Sequence, residues 1–217
     1  MQIEIELLKD FESGLDPEHP EQSKIPAKVL GYGEISTIFE IDTPATRDFA
    51  CKRMPIFQTR EEIEHYARIY TDYNDMLQKE IGINVPDFGF TWFTADDGKK
   101  VAFDLQRKLP AESIGNRAIH MMDTDNTRAL FFCVLRELMK VWSFNQAHPA
   151  RALGIDGQIS NWSIAGLNAA NPQISADTKL LYIDTSTPMM KKNAVEQLDP
   201  ELFLRSAPSF LRWLIRW

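Results

Sequence analysis

Three oxygen-bearing side chains in the second half of the chain have the types and spacing that phosphoryl-transfer chemistry uses. Asp156 and Asn161 are five residues apart in the segment DGQISN, and Asp184 ends the apolar run LLYID. Phosphoryl transfer needs a carboxylate to orient or deprotonate the acceptor hydroxyl, and oxygen ligands for the magnesium ion that bridges the phosphates. The three residues can supply all of these groups, although either aspartate by itself is more typical of a turn or a helix cap.

Lys52 is the candidate cation for the phosphates. It lies in the apolar, strand-like segment ACKRM, and a lysine buried there needs an anionic partner, because an unpaired buried charge is too costly. Phosphate oxygens and a glutamate from the following helix would supply that partner. Glu62 shares a helix face with Tyr66, so we choose it as this glutamate, with Glu64 as the alternative. A solvent-facing Lys52 on an edge strand is the competing interpretation.

The segment from Gly31 to Ser36, with glycines at positions 31 and 33, is a candidate phosphate-covering loop. Glycine lets the backbone approach phosphate oxygens closely and offers N–H groups as donors. Two glycines between strand-like runs also suffice for an ordinary hairpin turn. The segment therefore indicates a nucleotide site only in combination with the other candidates.

The elements that must position these residues in the first half are strands and one helix. Branched and aromatic residues alternate with small or polar ones over 28–41, 49–57, 83–94 and 99–109, which predicts five strands. The last two are expected to pair antiparallel around the turn ADDGK. Apolar residues at helical spacing predict one long amphipathic helix over 60–80. Five strands and one helix make a small α+β lobe.

The chain changes character after Pro110. The segment NTRALFFCVLRELMKVWSFNQA is apolar almost all round, which predicts a helix at the centre of a helical lobe. A second helical pattern stops at Trp217 without a C-cap signal, so we expect the lobe to be incomplete. These patterns divide the chain into an irregular lead-in that packs little (1–27), an N-lobe (28–108) and a C-lobe (109–217).

The order of these features is more informative than any single one. A glycine turn, a strand lysine, an acid-bearing helix, a central helix, the Asp-x4-Asn spacing and a strand-ending aspartate follow one another. In this order the chain resembles the protein-kinase-like superfamily over about residues 28–190, and it looks closer to the aminoglycoside and choline phosphotransferase branch than to protein kinases. The resemblance implies an α+β fold with a small antiparallel sheet lobe, a mainly helical second lobe, and a cleft for ATP and Mg²⁺.

The resemblance also implies a role for each candidate. Gly31 and Gly33 would cover the phosphates, and Gln106–Leu109 would form the hinge against the adenine. Lys52, held by Glu62, would contact the α- and β-phosphates. The catalytic base and the two magnesium ligands would be, in that order, Asp156, Asn161 and Asp184.

Departures from the family pattern leave two functions open. Gly154 and Ile155 stand where family members carry a histidine that supports the catalytic loop, and Thr185 and Ser186 stand where Phe-Gly is usual. The retained candidates favour an ATP- and Mg²⁺-dependent phosphotransferase acting on a small hydroxyl-bearing molecule. The missing histidine favours the alternative, a pseudokinase that binds a nucleotide, or nothing, and works as an interaction module.

Composition limits the classes of partner and the compartment. A net charge of −7 disfavours nucleic acid and anionic membranes. The resemblance implies that the partners are a nucleotide and a small-molecule acceptor. Cys51 and Cys133 lie in apolar surroundings, which predicts two buried free thiols and a reducing compartment. The N-terminus has no signal-peptide pattern, and no apolar run is long enough to span a bilayer. We therefore expect a cytoplasmic protein.

Overall fold

The computed structural model describes residues 3–33 and 35–202 of the 217-residue chain. The helix predicted up to Trp217 therefore lies largely outside the described residues. Residues 68–86, which the sequence assigns to the N-lobe, group with the C-terminal half. Within the described residues, the two compact units are unit 1 (3–67, 87–108 and 199–202) and unit 2 (68–86 and 109–198).

Unit 1 is built on a five-stranded antiparallel sheet, which confirms the sheet predicted from the sequence. Its strand order is β1-β2-β3-β5-β4, so the third strand is central and pairs with both the second and the fifth. The strands form where branched and aromatic residues alternate with small or polar ones. They are β1 (Ala27–Tyr32), β2 (Thr37–Ile41), β3 (Phe49–Phe57), β4 (Phe88–Thr94) and β5 (Lys100–Arg107).

The N-terminal segment corrects the expected irregular lead-in. Ile5–Ser13 form a helix, α1, whose Leu8 and Phe11 are fully buried in the hydrophobic core of unit 1. The ring of Phe11 makes edge-on contacts with Phe39 and Phe103, with centroids 5.5 and 6.3 Å away. Residues that were expected to pack little are therefore part of the core.

Helical spacing and an ion pair explain why this segment packs. Leu7 and Leu8 lie four and three residues before Phe11, which places all three on one apolar face of the helix, and the prolines come only after the helix has ended. Glu12 forms a bidentate pair with Arg53 of β3, at 2.5 and 2.6 Å. α1 thus covers one face of the sheet and is also tied to its central strand.

α2 (Arg60–Asp75) is the long helix predicted after the third strand, and it continues as a π-helical turn over Met76–Ile81. Its residues 60–67 belong to unit 1 and the remainder to unit 2. Tyr66 packs against Phe57 and Phe90. These contacts lie within unit 1.

The rest of unit 2 combines one long helix with two small sheets. A three-stranded sheet has the order β10-β9-β6, and β7 pairs antiparallel with β8. The helical character predicted for this half comes chiefly from one helix. The elements are α3 (Gly115–Ala118), α4 (Thr124–Ala147), β6 (Arg151–Leu153), β7 (Trp162–Ile164), β8 (Leu180–Tyr182), β9 (Met190–Lys192) and β10 (Val195–Glu196).

α4 differs from the prediction that it is buried all round. It begins at a capping side chain, Asp123, which accepts a hydrogen bond from the Asn126 amide at 2.7 Å. One face of α4 is buried. The apolar composition of the segment does not determine whether its other faces are also covered. The exposed large apolar side chains of α4 are Phe131, Phe132, Leu135, Met139 and Trp142.

Cys51 and Cys133 are free and buried, as predicted. No helix within 3–33 and 35–202 has the length and apolarity needed to cross a membrane.

Candidate functional site

Gly31 lies in β1, and Gly33 directly follows that strand in the connection to β2. Gly33 N–H donates to the Ser36 carbonyl at 2.9 Å, and a Cβ at position 33 would lie 2.6 Å from Ser36 Oγ. Gly31 lies beside a register shift in the pairing of the two strands. Gly33 therefore has a local structural role, and the role of both glycines over phosphates stays a prediction.

Lys52 lies on the face of the sheet opposite to α1. Successive side chains of a strand point to opposite faces. Cys51 belongs to the core that contains α1, and Arg53 pairs with Glu12 of that helix. Lys52, between them, therefore points to the other face and is only 5% exposed.

The acid that lies beside Lys52 is Asp104 of β5, which was not predicted from the sequence. The two residues are directly opposite in the pairing of β3 with β5, and Lys52 Nζ lies 3.9 Å from Asp104 Oδ2. The Asp104 side chain is fully buried. Burial and, secondarily, the negative charge of Asp104 raise the pKa of the neighbouring Cys51 thiol to about 12. Lys52 and Asp104 thus form a buried pair of opposite charges.

Glu62, chosen from the sequence to hold Lys52, has a local role at the start of α2. Its carboxylate accepts hydrogen bonds from the Gln58 and Thr59 amides at 2.8 and 3.3 Å. Thr59 Oγ1 in turn accepts a hydrogen bond from the Glu62 amide at 3.2 Å. This reciprocal arrangement is a capping box. The alternative, Glu64, pairs with Arg60 at 2.7 Å.

Gln106, the first residue of the predicted hinge, lies inside β5. It is opposite Ala50 of β3 and Phe88 of β4, and only 4% of it is exposed. By the alternation along β5, it shares the face of Lys52 and Asp104. The strand ends at Arg107, so a connecting segment begins after that residue and not at Gln106.

The buried pair makes a stability prediction. We expect Lys52→Met to lower the free energy of unfolding by about 3 kcal/mol, because it removes the cation beside a buried carboxylate. Asp104→Leu should lower the free energy of unfolding by a similar amount. The double variant should lower it by less than the sum of the two single losses. Urea denaturation of the four proteins measures this coupling.

The pair between Lys108 and Glu40 provides the control. It is shorter, at 2.8 Å, but both side chains are about one third exposed. We expect Lys108→Met to cost less than about 1 kcal/mol, since solvent screens exposed pairs. Equal losses for Lys52→Met and Lys108→Met would contradict the assignment of Lys52 to a buried pair.

In unit 2, the three candidate oxygen-bearing residues approach one another at one end of the β7–β8 pair. Asn161 directly precedes β7, and its carbonyl accepts a hydrogen bond from the Ile183 amide at 2.9 Å, one residue before Asp184. The Asp156 amide donates to the hydroxyl of Tyr182, the last residue of β8, at 3.2 Å. The three residues are each partly exposed to solvent.

Each of the two aspartates also makes a local hydrogen bond. Asp156 Oδ1 accepts from the Gln158 amide at 2.9 Å, which is an Asx turn. Asp184 Oδ1 accepts from the Ser186 hydroxyl at 3.3 Å. These bonds fix how the carboxylates are oriented and are compatible with a turn role and with a chemical role.

Two buried tyrosines lie beside this group. The hydroxyls of Tyr73 and Tyr182 lie within hydrogen-bonding reach of each other, and Tyr73 donates to the Gly154 carbonyl at 2.8 Å. Burial raises the pKa of both phenols, and the negative charges of Asp184 and Asp156 raise it further. Both carboxylates are therefore close to the tyrosine pair, and both phenols stay protonated at neutral pH.

The donor set limits which metal this region could hold. Asn161 and Asp184 offer an amide oxygen and a carboxylate oxygen, which are hard ligands of the kind that Mg²⁺ prefers. Within 3–33 and 35–202, no three His, Cys, Asp or Glu side chains are grouped to hold a metal ion. Two protein ligands suit Mg²⁺, which usually keeps several waters and takes further oxygens from phosphates.

Another feature of unit 2 is a cavity of about 420 Å³. It is lined by residues of β7 and of the polar loop that follows, between Ile164 and Lys179. Asp156, Asn161 and Asp184 do not line it. The cavity is therefore distinct from the candidate group.

Comparisons with known proteins identify a family. No curated protein matches the sequence significantly. A solved structure described as "WaaP in complex with acyl carrier protein" is similar at 15% identity and a TM-score of 0.43, covering 84% of this chain and 68% of that chain. The family model described as "Family of unknown function (DUF6206)" matches residues 17–214, so the chain belongs to the DUF6206 family.

Proposed function

We propose that this chain is an ATP- and Mg²⁺-dependent phosphotransferase with a protein-kinase-like fold, acting on a small hydroxyl-bearing molecule. The observation that carries the proposal is the approach of Asp156, Asn161 and Asp184 at one end of the β7–β8 pair. These are the residue types that phosphoryl transfer requires: one carboxylate for the acceptor hydroxyl and two oxygen ligands for a metal.

In this proposal Asp156 is the base. Its carboxylate accepts the proton of the acceptor hydroxyl, whose oxygen bonds to the γ-phosphorus of ATP while the bond to the β–γ bridging oxygen breaks and ADP leaves. Asn161 and Asp184 would hold Mg²⁺, which when bound neutralises charge on the phosphates. The net charge of −7 favours a neutral or cationic acceptor.

The proposed phosphate contacts come from unit 1. Lys52 would contact the α- and β-phosphates, and the backbone at Gly31 and Gly33 would cover them. A lysine this buried suits the role, because a cation with little water around it interacts strongly with an anionic ligand. Asp104 would hold the Lys52 ammonium group in place when no nucleotide is bound.

Nucleotide binding tests the proposal before any acceptor is known. Thermal unfolding should show a rise in Tm with ATP plus Mg²⁺, since a ligand of the native state at 100 times its Kd stabilises by about 2.7 kcal/mol. Mg²⁺ alone should give little shift, because phosphates complete its coordination. AMP, which lacks the β- and γ-phosphates, is the matched control and should stabilise less than ATP.

The same titration tests the alternative. If ATP raises the Tm equally with and without Mg²⁺, the chain binds a nucleotide without the metal site that transfer needs. If neither ATP nor Mg²⁺ changes the Tm at millimolar concentration, the proposal is wrong. An interaction module without a nucleotide would then replace it.

A further inference from the structure

Asp156 lies in a segment that has no regular secondary structure to hold it. Residues 154–158 connect β6 to a short 3₁₀ turn. A group that acts on a reacting atom must be held within about 0.5 Å of its working position, so such a loop needs specific supports. The backbone hydrogen bonds of this segment show where those supports are.

Two buried hydroxyls contact the backbone on either side of Ile155. Tyr73 Oη donates to the Gly154 carbonyl at 2.8 Å, and Tyr182 Oη accepts from the Asp156 amide at 3.2 Å. Both tyrosines are fully buried and come from different elements, α2 and β8. The two hydroxyls therefore form hydrogen bonds to Gly154 and Asp156 of the loop from two different secondary-structure elements.

The rings that carry these hydroxyls are themselves fixed. The ring of Tyr182 packs against Trp162 with centroids 5.1 Å apart, and Trp162 is fully buried. The hydroxyl of Tyr182 lies within hydrogen-bonding reach of that of Tyr73. A buried, interconnected pair of this kind holds its partners in one arrangement.

We propose that Tyr73 and Tyr182 are positioning residues that fix the Gly154–Asp156 backbone and thereby orient the Asp156 carboxylate for turnover. This inference rests on the proposed function. It identifies what supports a loop in which Gly154 and Ile155 stand where members of the kinase-like superfamily carry a histidine. Neither tyrosine needs to touch the substrate.

The test removes one hydroxyl at a time and keeps each ring. In Tyr182→Phe the Asp156 amide loses its acceptor, and in Tyr73→Phe the Gly154 carbonyl loses its donor. We expect amide hydrogen exchange at residues 154–158 to become at least about tenfold faster in each variant, because a local opening becomes easier. We expect kcat to fall by about 10- to 100-fold with KM for ATP unchanged, since a small misplacement of a reacting group slows only the chemical step.

Tyr66→Phe is the matched control. Tyr66 is equally buried on the same helix, but its hydroxyl lies 3.6 Å from Met54 Sδ in unit 1. It should change neither the exchange at 154–158 nor kcat. The Tyr73→Phe/Tyr182→Phe double variant should lose less than the product of the two single losses, because both hydroxyls hold one loop.

The two readouts separate this inference from the proposed function. Unchanged exchange at 154–158 in Tyr182→Phe overturns the positioning role whatever the activity. Faster exchange with a wild-type kcat overturns it as well. If the wild type transfers no phosphate, the proposed function and the catalytic role of the two tyrosines are both wrong. Faster exchange in the variants would then show that the tyrosines still hold the loop, so that only the proposed function has failed.

Discussion

We expect the Asp156→Asn variant to bind ATP and Mg²⁺ as the wild type does and to turn over about 10²- to 10⁴-fold more slowly, the range that general-base catalysis typically contributes. A base acts on the acceptor hydroxyl only as the transition state forms, so its loss lowers kcat and spares ground-state binding. Asparagine keeps the size of the side chain and the Oδ1 atom that accepts from the Gln158 amide. The loop should therefore survive the change.

Asp184→Asn should have a different effect from Asp156→Asn. It replaces one of the two proposed metal ligands by a neutral group, so the dependence of ATP binding on Mg²⁺ should disappear. The hydrogen bond from Ser186 can still be made to an amide oxygen, which limits the structural change. Isothermal titration of ATP, with and without Mg²⁺, measures this difference.

Asp177→Asn provides the control for both variants. Asp177 is exposed and lines the cavity of unit 2, which Asp156, Asn161 and Asp184 do not line. It should bind and turn over ATP as the wild type does. The roles we assign would be wrong if Asp156→Asn weakened ATP binding as much as Asp184→Asn, or if Asp184→Asn left the Mg²⁺ dependence intact.

The second large effect concerns stability. We expect Phe11→Ala to lower the free energy of unfolding by about 3 to 5 kcal/mol, the cost typical of removing a buried phenylalanine ring. Phe11 is fully buried, and its ring contacts Phe39 and Phe103 of the sheet. A loss of this size is a large fraction of the stability of an ordinary domain. Urea denaturation followed by circular dichroism measures it.

Ile5→Ala on the same helix is the matched control. Ile5 is 42% exposed, so its truncation removes little buried surface and should cost much less than Phe11→Ala. If Ile5→Ala and Phe11→Ala lowered the free energy of unfolding by similar amounts, α1 would not pack on the sheet through Phe11. The segment would then be the loose lead-in that the sequence predicted.

The sheet of unit 1 could be predicted from the sequence because its signals are local. Alternating apolar residues mark β1 to β5, and the turn ADDGK marks the hairpin of β4 and β5. These patterns involve residues that are close together in the sequence, so they can be recognised without knowledge of the fold. α2 was predicted for the same reason, from apolar residues at helical spacing.

The features that were missed depend on contacts between distant segments. Asp104 faces Lys52 only because β3 pairs with β5 in one register, across 52 residues of sequence. α1 was missed although Leu7, Leu8 and Phe11 show helical spacing, because the acidic and proline-rich residues around them suggested an irregular segment. Tyr73 and Tyr182 carry no motif, and only the fold brings their hydroxyls to the Asp156 loop.

The most direct test of the proposed activity is transfer of the γ-phosphate from labelled ATP. Wild-type protein, ATP and Mg²⁺ are incubated with a panel of aminoglycosides, choline and simple polyols, and the released ADP and labelled products are measured. We predict Mg²⁺-dependent ADP release and a labelled product with at least one acceptor, both reduced about 10²- to 10⁴-fold in Asp156→Asn. If MgATP binds but ADP and labelled product never exceed the level of Asp156→Asn, the chain is a nucleotide-binding module and not a phosphotransferase.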